Sequence, residues 1–100
     1  KTEPATALAA LEAVRGVLAG VSVTDEAAVE ARFRALAEEL GMKPGNLFMP
    51  VRVAVTGRTQ SPGLFETLRV VGDAWCQARV DAAIVALRQL IASGSPASHA

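Results

Sequence analysis

Arg52 interrupts the apolar run Pro50-Val-Arg-Val-Ala-Val, and Arg58 stands on the polar link Thr56-Gly-Arg-Thr-Gln-Ser that follows. A guanidinium is a planar fork of donors, suited to a phosphate or to the edge of a nucleic-acid base. An arginine inside an apolar segment has a second use, as a structural ion that needs a carboxylate or carbonyls around it. Asp73 and Asp81 are candidate partners for that use, and the residues themselves leave the two uses open. Arg58 is likewise either a phosphate contact or an idle surface charge. Two hydroxyls and several backbone N–H groups belong to the same corner, at 56–61, which makes it a candidate polyanion site. Leu64, just beyond, is either core or an apolar shelf on which a splayed base rests.

Other chemistry is scarce. The only histidine, His99, lies among small polar residues at the end of the chain. Cys76 falls on the apolar face of a helical pattern, where cysteine is a small buried hydrophobe rather than a nucleophile. Glu38 and Glu39 are adjacent, so on a helix they point about 100° apart and do not make a two-carboxylate site. Gly57 and Gly63 flank Arg-Thr-Gln-Ser-Pro, which has neither the lysine of a Walker loop nor a Gly-x-Gly-x-x-Gly pattern. One histidine and one cysteine cannot build a zinc site. Trp75 reads as a packed anchor in preference to a stacking platform.

The elements that must position the corner follow from composition and spacing. The chain has 100 residues, 51% of them hydrophobic and only 4% aromatic, with alanine prominent. That favours close-packed helices over a sandwich of strands. Ala-rich residues 5–19 place Leu8, Leu11, Ala13, Val14 and Leu18 on one face, with Pro4 where a first turn tolerates it; Gly16 and Gly20 weaken the end. Ser22 and Thr24 offer a hydroxyl cap ahead of Asp25 and Glu26. Val29, Phe33, Leu36, Ala37 and Leu40 then line one face of a second helix, ended by Gly41.

Residues 43–46 read as a turn or a helix lead-in. The valines of 47–55 favour a strand by propensity. No other stretch offers that strand a partner for its backbone, so a short helix is expected, with Pro50 near its start or at a kink and Gly57 at its end. Ser61-Pro62 is a helix-start signal, because the hydroxyl accepts from free N–H groups and proline suits the first helical position. It opens a helix at 62–71 with Leu64, Phe65, Leu68 and Val71 inward and Gly72 as its stop. Asp73 is placed to cap a last helix at 74–92, with Cys76, Val80, Ala83, Ile84, Leu87, Leu90 and Ile91 inward. The expected fold is all-α, a compact cage of about five helices. Residues 1–92 form one domain, and residues 93–100 have the composition of a disordered tail.

Net charge is zero, but its distribution is uneven. No acidic residue lies between Glu39 and Glu66, whereas Lys43, Arg52 and Arg58 do; the acids Asp25, Glu26, Glu30, Glu38 and Glu39 are crowded upstream. A lone cysteine makes no internal disulfide, which points to a reducing, cytoplasmic setting. No apolar run approaches the ~20 residues of a membrane span, and no secretory signal is visible. The chain opens at Lys1 without methionine, so a fragment of a longer protein is expected.

The stretch from Leu36 to Leu68 resembles the C-terminal anticodon-binding domain of bacterial glutamyl-tRNA synthetase, a class I enzyme. The likeness covers about residues 29–91. The specific part is Pro50-Val-Arg-Val-Ala-Val-Thr-Gly57, a short loop, and Ser61-Pro-Gly-Leu-Phe65, preceded by a Leu-Gly-Met-Lys turn at 40–43 and followed by Gly72 and Arg79-Val80. The resemblance implies an α-helical cage that binds the anticodon loop of tRNA(Glu), as a monomer, with no membrane and no metal. By match to the motif, it implies RNA contacts at Arg52, Ser61, Pro62 and Leu64 near the middle or third anticodon base. It also implies phosphate contacts at Arg58 and Lys43. ATP and Mg belong to the parent's catalytic domain, whose His-Ile-Gly-His and Lys-Met-Ser-Lys-Ser motifs cannot exist in a chain with one histidine and two lysines. No cofactor and no catalytic residue is expected here. Asp73-Ala-Trp-Cys76 departs from the charged stretch usual after the glycine. The alternative reading is a helical protein-interaction module, or a free-standing paralogue, docking a partner through Leu8 and Leu11.

Overall fold

A computed structural model describes residues 3–60 and 63–93. The five helices are α1 (Pro4–Gly20), α2 (Glu26–Glu39), α3 (Pro44–Thr56), α4 (Leu64–Val71) and α5 (Asp73–Ala92), and the described residues contain no strand. The all-α expectation holds, and its stop signals fall where glycine was read. Gly57 closes α3 at φ 73° and Gly72 closes α4 at φ 92°, backbone that a residue with a Cβ enters only at a cost.

α3 shows how packing overrides propensity. Leu47, Val51 and Val55 recur at every fourth position and are all buried. One helical face therefore takes the branched side chains into the core, where each contributes about 1.5–3 kcal/mol. The helix starts at Pro44, so the 43–46 segment is a lead-in and Pro50 lies mid-helix instead of near its start. Pro50 removes the N–H that would reach the Asn46 carbonyl. Asn46 is exposed, so water can take that acceptor, while the Pro50 ring itself is buried.

α1 and α5 form the most extensive pair and run antiparallel. Gln77 donates to the Leu18 carbonyl at 3.1 Å, Arg15 pairs with Asp81 at 2.7 Å, and Arg88 pairs with Glu12 at 2.6 Å. Leu11 is only 2% exposed and Leu8 packs against the core, so α1 does not offer these two leucines to a partner. Phe33, Phe48 and Phe65 tie α2, α3 and α4 together, with centroids 5.2–6.3 Å apart and two of the three contacts edge-on. Such contacts add about 0.5–1.5 kcal/mol to burial alone.

Several local expectations are corrected. Asp25, not Ser22 or Thr24, caps α2, accepting from the Ala28 N–H at 3.1 Å. Asp73 does not cap α5: Gly72 is the N-cap residue, and the Asp73 carboxylate turns to the α1–α2 loop instead. α4 begins at Leu64, with Gly63 at its cap position, two residues after the Pro62 start. Leu40, Leu90 and Ile91 are exposed. The antiparallel register of α1 and α5, with Leu18 against Gln77, Arg15 against Asp81 and Glu12 against Arg88, sets the last turn of α5 beside Pro4-Ala-Thr-Ala, whose small and mostly exposed side chains cover little of it. The His99 and tail readings, and the caps assigned to Ser61 and Pro62, lie outside the described residues.

Candidate nucleic-acid interface

The corner between α3 and α4 is built around Thr56. Its hydroxyl donates to the Arg52 carbonyl at 2.6 Å, one turn back, and lies 3.3 Å from the Arg58 carbonyl. The same oxygen accepts the Arg58 N–H at 3.1 Å. The Gly57 N–H reaches the Val53 carbonyl at 2.8 Å. The Thr56 hydroxyl, expected among the groups open to a polyanion, is instead the clamp that turns the chain out of α3. The Gly57 and Arg58 N–H groups are both occupied within the chain, which removes them from the polyanion site expected here. The signal was present in the sequence as a threonine one residue before a helix-ending glycine, where a side chain can reach back to the preceding turn.

Arg52 lies half-buried on α3 and Arg58 lies exposed on the corner, with Thr59 and Gln60 exposed beside it. Lys43 is exposed at the other end of the same helix, in the cap position before Pro44. Arg52 and Arg58 therefore share the C-terminal end of α3, and Lys43 does not. Of the two candidate carboxylate partners of Arg52, Asp73 accepts from the Ser22–Val23 loop and Asp81 pairs with Arg15. Leu64 is 3% exposed at the start of α4, so its side chain is core. Ser61 and Pro62 lie outside the described residues.

Burial, followed by the negative charge of Asp73, pushes the Cys76 thiol up to about 11. The sulfur lies 3.5 Å from the Leu68 carbonyl inside the core, where a thiol is inert. Among the described residues no group of three or more His, Cys, Asp or Glu could hold a metal ion. No helix among them is long and apolar enough to cross a membrane.

Beside the corner, α1, α3 and α5 enclose an apolar groove of about 580 Å³. Leu11, Met49, Val53, Ala83 and Leu87 line it, and Arg79 supplies its charge. Trp75, one turn before Arg79, is 62% exposed, which corrects its reading as a packed anchor. Cys76, Val80 and Ile84 take the inward face of α5, and a residue one position before Cys76 is rotated about 100° away from it.

The family model for the anticodon binding domain matches residues 1–84. The chain belongs to the anticodon-binding-domain family. It is 47% identical over 87 residues to the glutamate–tRNA ligase of Roseiflexus castenholzii, a match covering 87% of this chain and 17% of that protein. It is 40% identical over 87 residues to the glutamate–tRNA ligase of Herpetosiphon aurantiacus, covering 87% of this chain and 18% of that one. A 45-residue stretch is 53% identical to the glutamate–tRNA ligase of Symbiobacterium thermophilum, covering 45% of this chain and 9% of that one. The chain thus spans 17–18% of the length of the first two curated relatives. No solved structure matches it. Membership of the family agrees with the resemblance read from the Pro50–Phe65 motifs, and the five-helix fold is of the kind that resemblance implies.

Proposed function

We propose that this chain is the tRNA-binding part of a cytoplasmic bacterial glutamate–tRNA ligase and grips the anticodon loop of tRNA(Glu). The observation that carries the reading is identity of 40–47% to glutamate–tRNA ligases across 87 of its residues, within a family described by anticodon binding. The joining of glutamate to tRNA with ATP belongs to the remainder of such an enzyme, and this chain supplies affinity and discrimination.

The geometry supports the same division of labour. Arg52 and Arg58 stand at one corner, fixed by the Thr56 clamp, where one fork can meet a base edge and the other a phosphate. Lys43, at the far end of α3, is a second phosphate contact. Ser61 and Pro62 are further contacts to the loop by match to the family motif. Leu64 serves this site by anchoring the start of α4 in the core. The test is anisotropy of a labelled anticodon stem-loop carrying the glutamate anticodon, against the same loop with its middle base changed. Preference for the glutamate loop supports the reading, and no binding of either loop overturns it.

A further inference from the structure

Trp75 is the only tryptophan in the chain, and the fold leaves it outside the core. The phase of α5 is set by Cys76, Val80 and Ile84, so no small shift of the helix could bury the indole without exposing those three. The ring is nonetheless held. The Arg79 guanidinium carbon lies 5.6 Å from the ring centroid, one helical turn on, a cation–π distance.

Arg79 differs from Arg15, Arg69 and Arg88 in its partners. Arg15, Arg69 and Arg88 are each paired with a carboxylate, whereas Arg79 makes no ion pair among the described residues. The carboxylate nearest in sequence to the indole, Asp73, is turned into the Ser22–Val23 loop. Arg79 also lines the groove shared with Met49, Pro50 and Val53 of α3, the helix that ends in the Arg52–Arg58 corner. An exposed aromatic face, an adjoining cation without a carboxylate, and an apolar recess therefore occur together.

We propose that Trp75 and Arg79 form a stacking platform for an unpaired base of a single-stranded RNA segment, with Arg79 also reaching its phosphate. The chemistry is that of a base whose π-face rests on an indole beside a guanidinium. The inference rests on the RNA-binding reading above and extends it to a second face, on α5, that uses neither Arg52 nor Arg58.

The test follows two signals in one titration of the 100-residue chain with a fluorophore-labelled anticodon stem-loop. Label anisotropy reports binding, and the emission of the lone tryptophan reports contact with the platform. The expected result is quenching of Trp75 that tracks anisotropy with the same Kd. Trp75→Ala then weakens binding about 5- to 150-fold, the range for losing one stacked base. Trp75→Phe retains part of the affinity, and Arg79→Ala lowers the log–log salt slope by about 0.7, one single-strand phosphate. Trp75 is exposed, so these variants should melt as the parent does. Rising anisotropy with unchanged Trp75 emission overturns the platform and leaves the RNA reading standing. Quenching with unaltered affinity in Trp75→Ala also overturns it. No anisotropy change for any loop overturns both.

Discussion

The Asp73 carboxylate accepts the backbone N–H of Val23 at 2.7 Å, fifty residues apart in the chain. The Ser22 hydroxyl donates to its other oxygen, also at 2.7 Å. One side chain at the start of α5 thus pins the loop between α1 and α2, and Val23, whose N–H it holds, is itself buried. The Val23 bond, then the Ser22 bond, hold the Asp73 carboxyl below the usual carboxylate range.

Replacing Asp73 by alanine removes the acceptor and leaves the Val23 N–H without its partner. The expected cost is about 1–3 kcal/mol, toward the lower end because the carboxylate is partly exposed. The sign of the pH dependence follows from the lowered folded-state pKa. The stabilisation is complete above the unfolded aspartate pKa of about 3.9 and is lost as pH falls through the lower folded value. Urea melts at neutral pH and at successively lower pH below about 4 check this. Wild type and Asp73→Ala should differ at neutral pH and converge in acid.

Cys76 is expected to resist alkylation in the folded chain. A thiol raised from 9.0 to about 11 carries about a hundredfold less thiolate below pH 9, and the core also excludes the reagent. Mass-spectrometric iodoacetamide time courses should therefore run at least about a hundredfold slower than in denaturant. Equal rates would place the sulfur at the surface.

Helix ends were legible in this sequence because glycine marks them chemically, and Gly57 and Gly72 sit at positive φ where the chain turns. The inward face of α2 was legible because Val29, Phe33, Leu36 and Ala37 follow a helical period. What failed depended on partners distant in sequence. Asp73 looked like a cap because a carboxylate at a helix start has that local use, and nothing nearby reveals a loop fifty residues away. Leu90 and Ile91 keep the period of α5 but fall beside the small residues that open α1, and the side chains of a partner helix are not written in the helix itself. Residue type makes Trp75 a packed anchor, whereas the phase of Cys76 and Val80 decides its place. At the corner, residue types marked the arginines, but only geometry showed that Thr56 and the N–H groups of Gly57 and Arg58 satisfy the chain itself.

Leu64→Ala separates core from shelf. A leucine 3% exposed should cost about 2–5 kcal/mol when truncated, and the melting temperature should fall accordingly. RNA affinity, measured well below the new melting temperature, should change only as far as α4 loses its anchor. A tenfold loss of affinity with an unchanged melting temperature would make the side chain a contact for a base.

The two arginines at the end of α3 should fail in different ways. Arg58 is exposed on the turn, so Arg58→Ala should weaken all stem-loops alike and reduce the salt slope by about 0.7. With Lys43, Arg58 and Arg79 each on one single-strand phosphate, the slope of the intact chain should lie near −2. Arg52 is half-buried one turn before Thr56, on the stretch whose carbonyl the clamp holds. Arg52→Ala should lower the preference for the correct base at one anticodon position by about 1–3 kcal/mol and leave the other positions as they were. Stem-loop titrations at two salt concentrations, paired with thermal melts, distinguish the outcomes. A fallen melting temperature with preference intact would assign Arg52 to the fold, and a uniform loss across loops would make it a phosphate contact like Arg58.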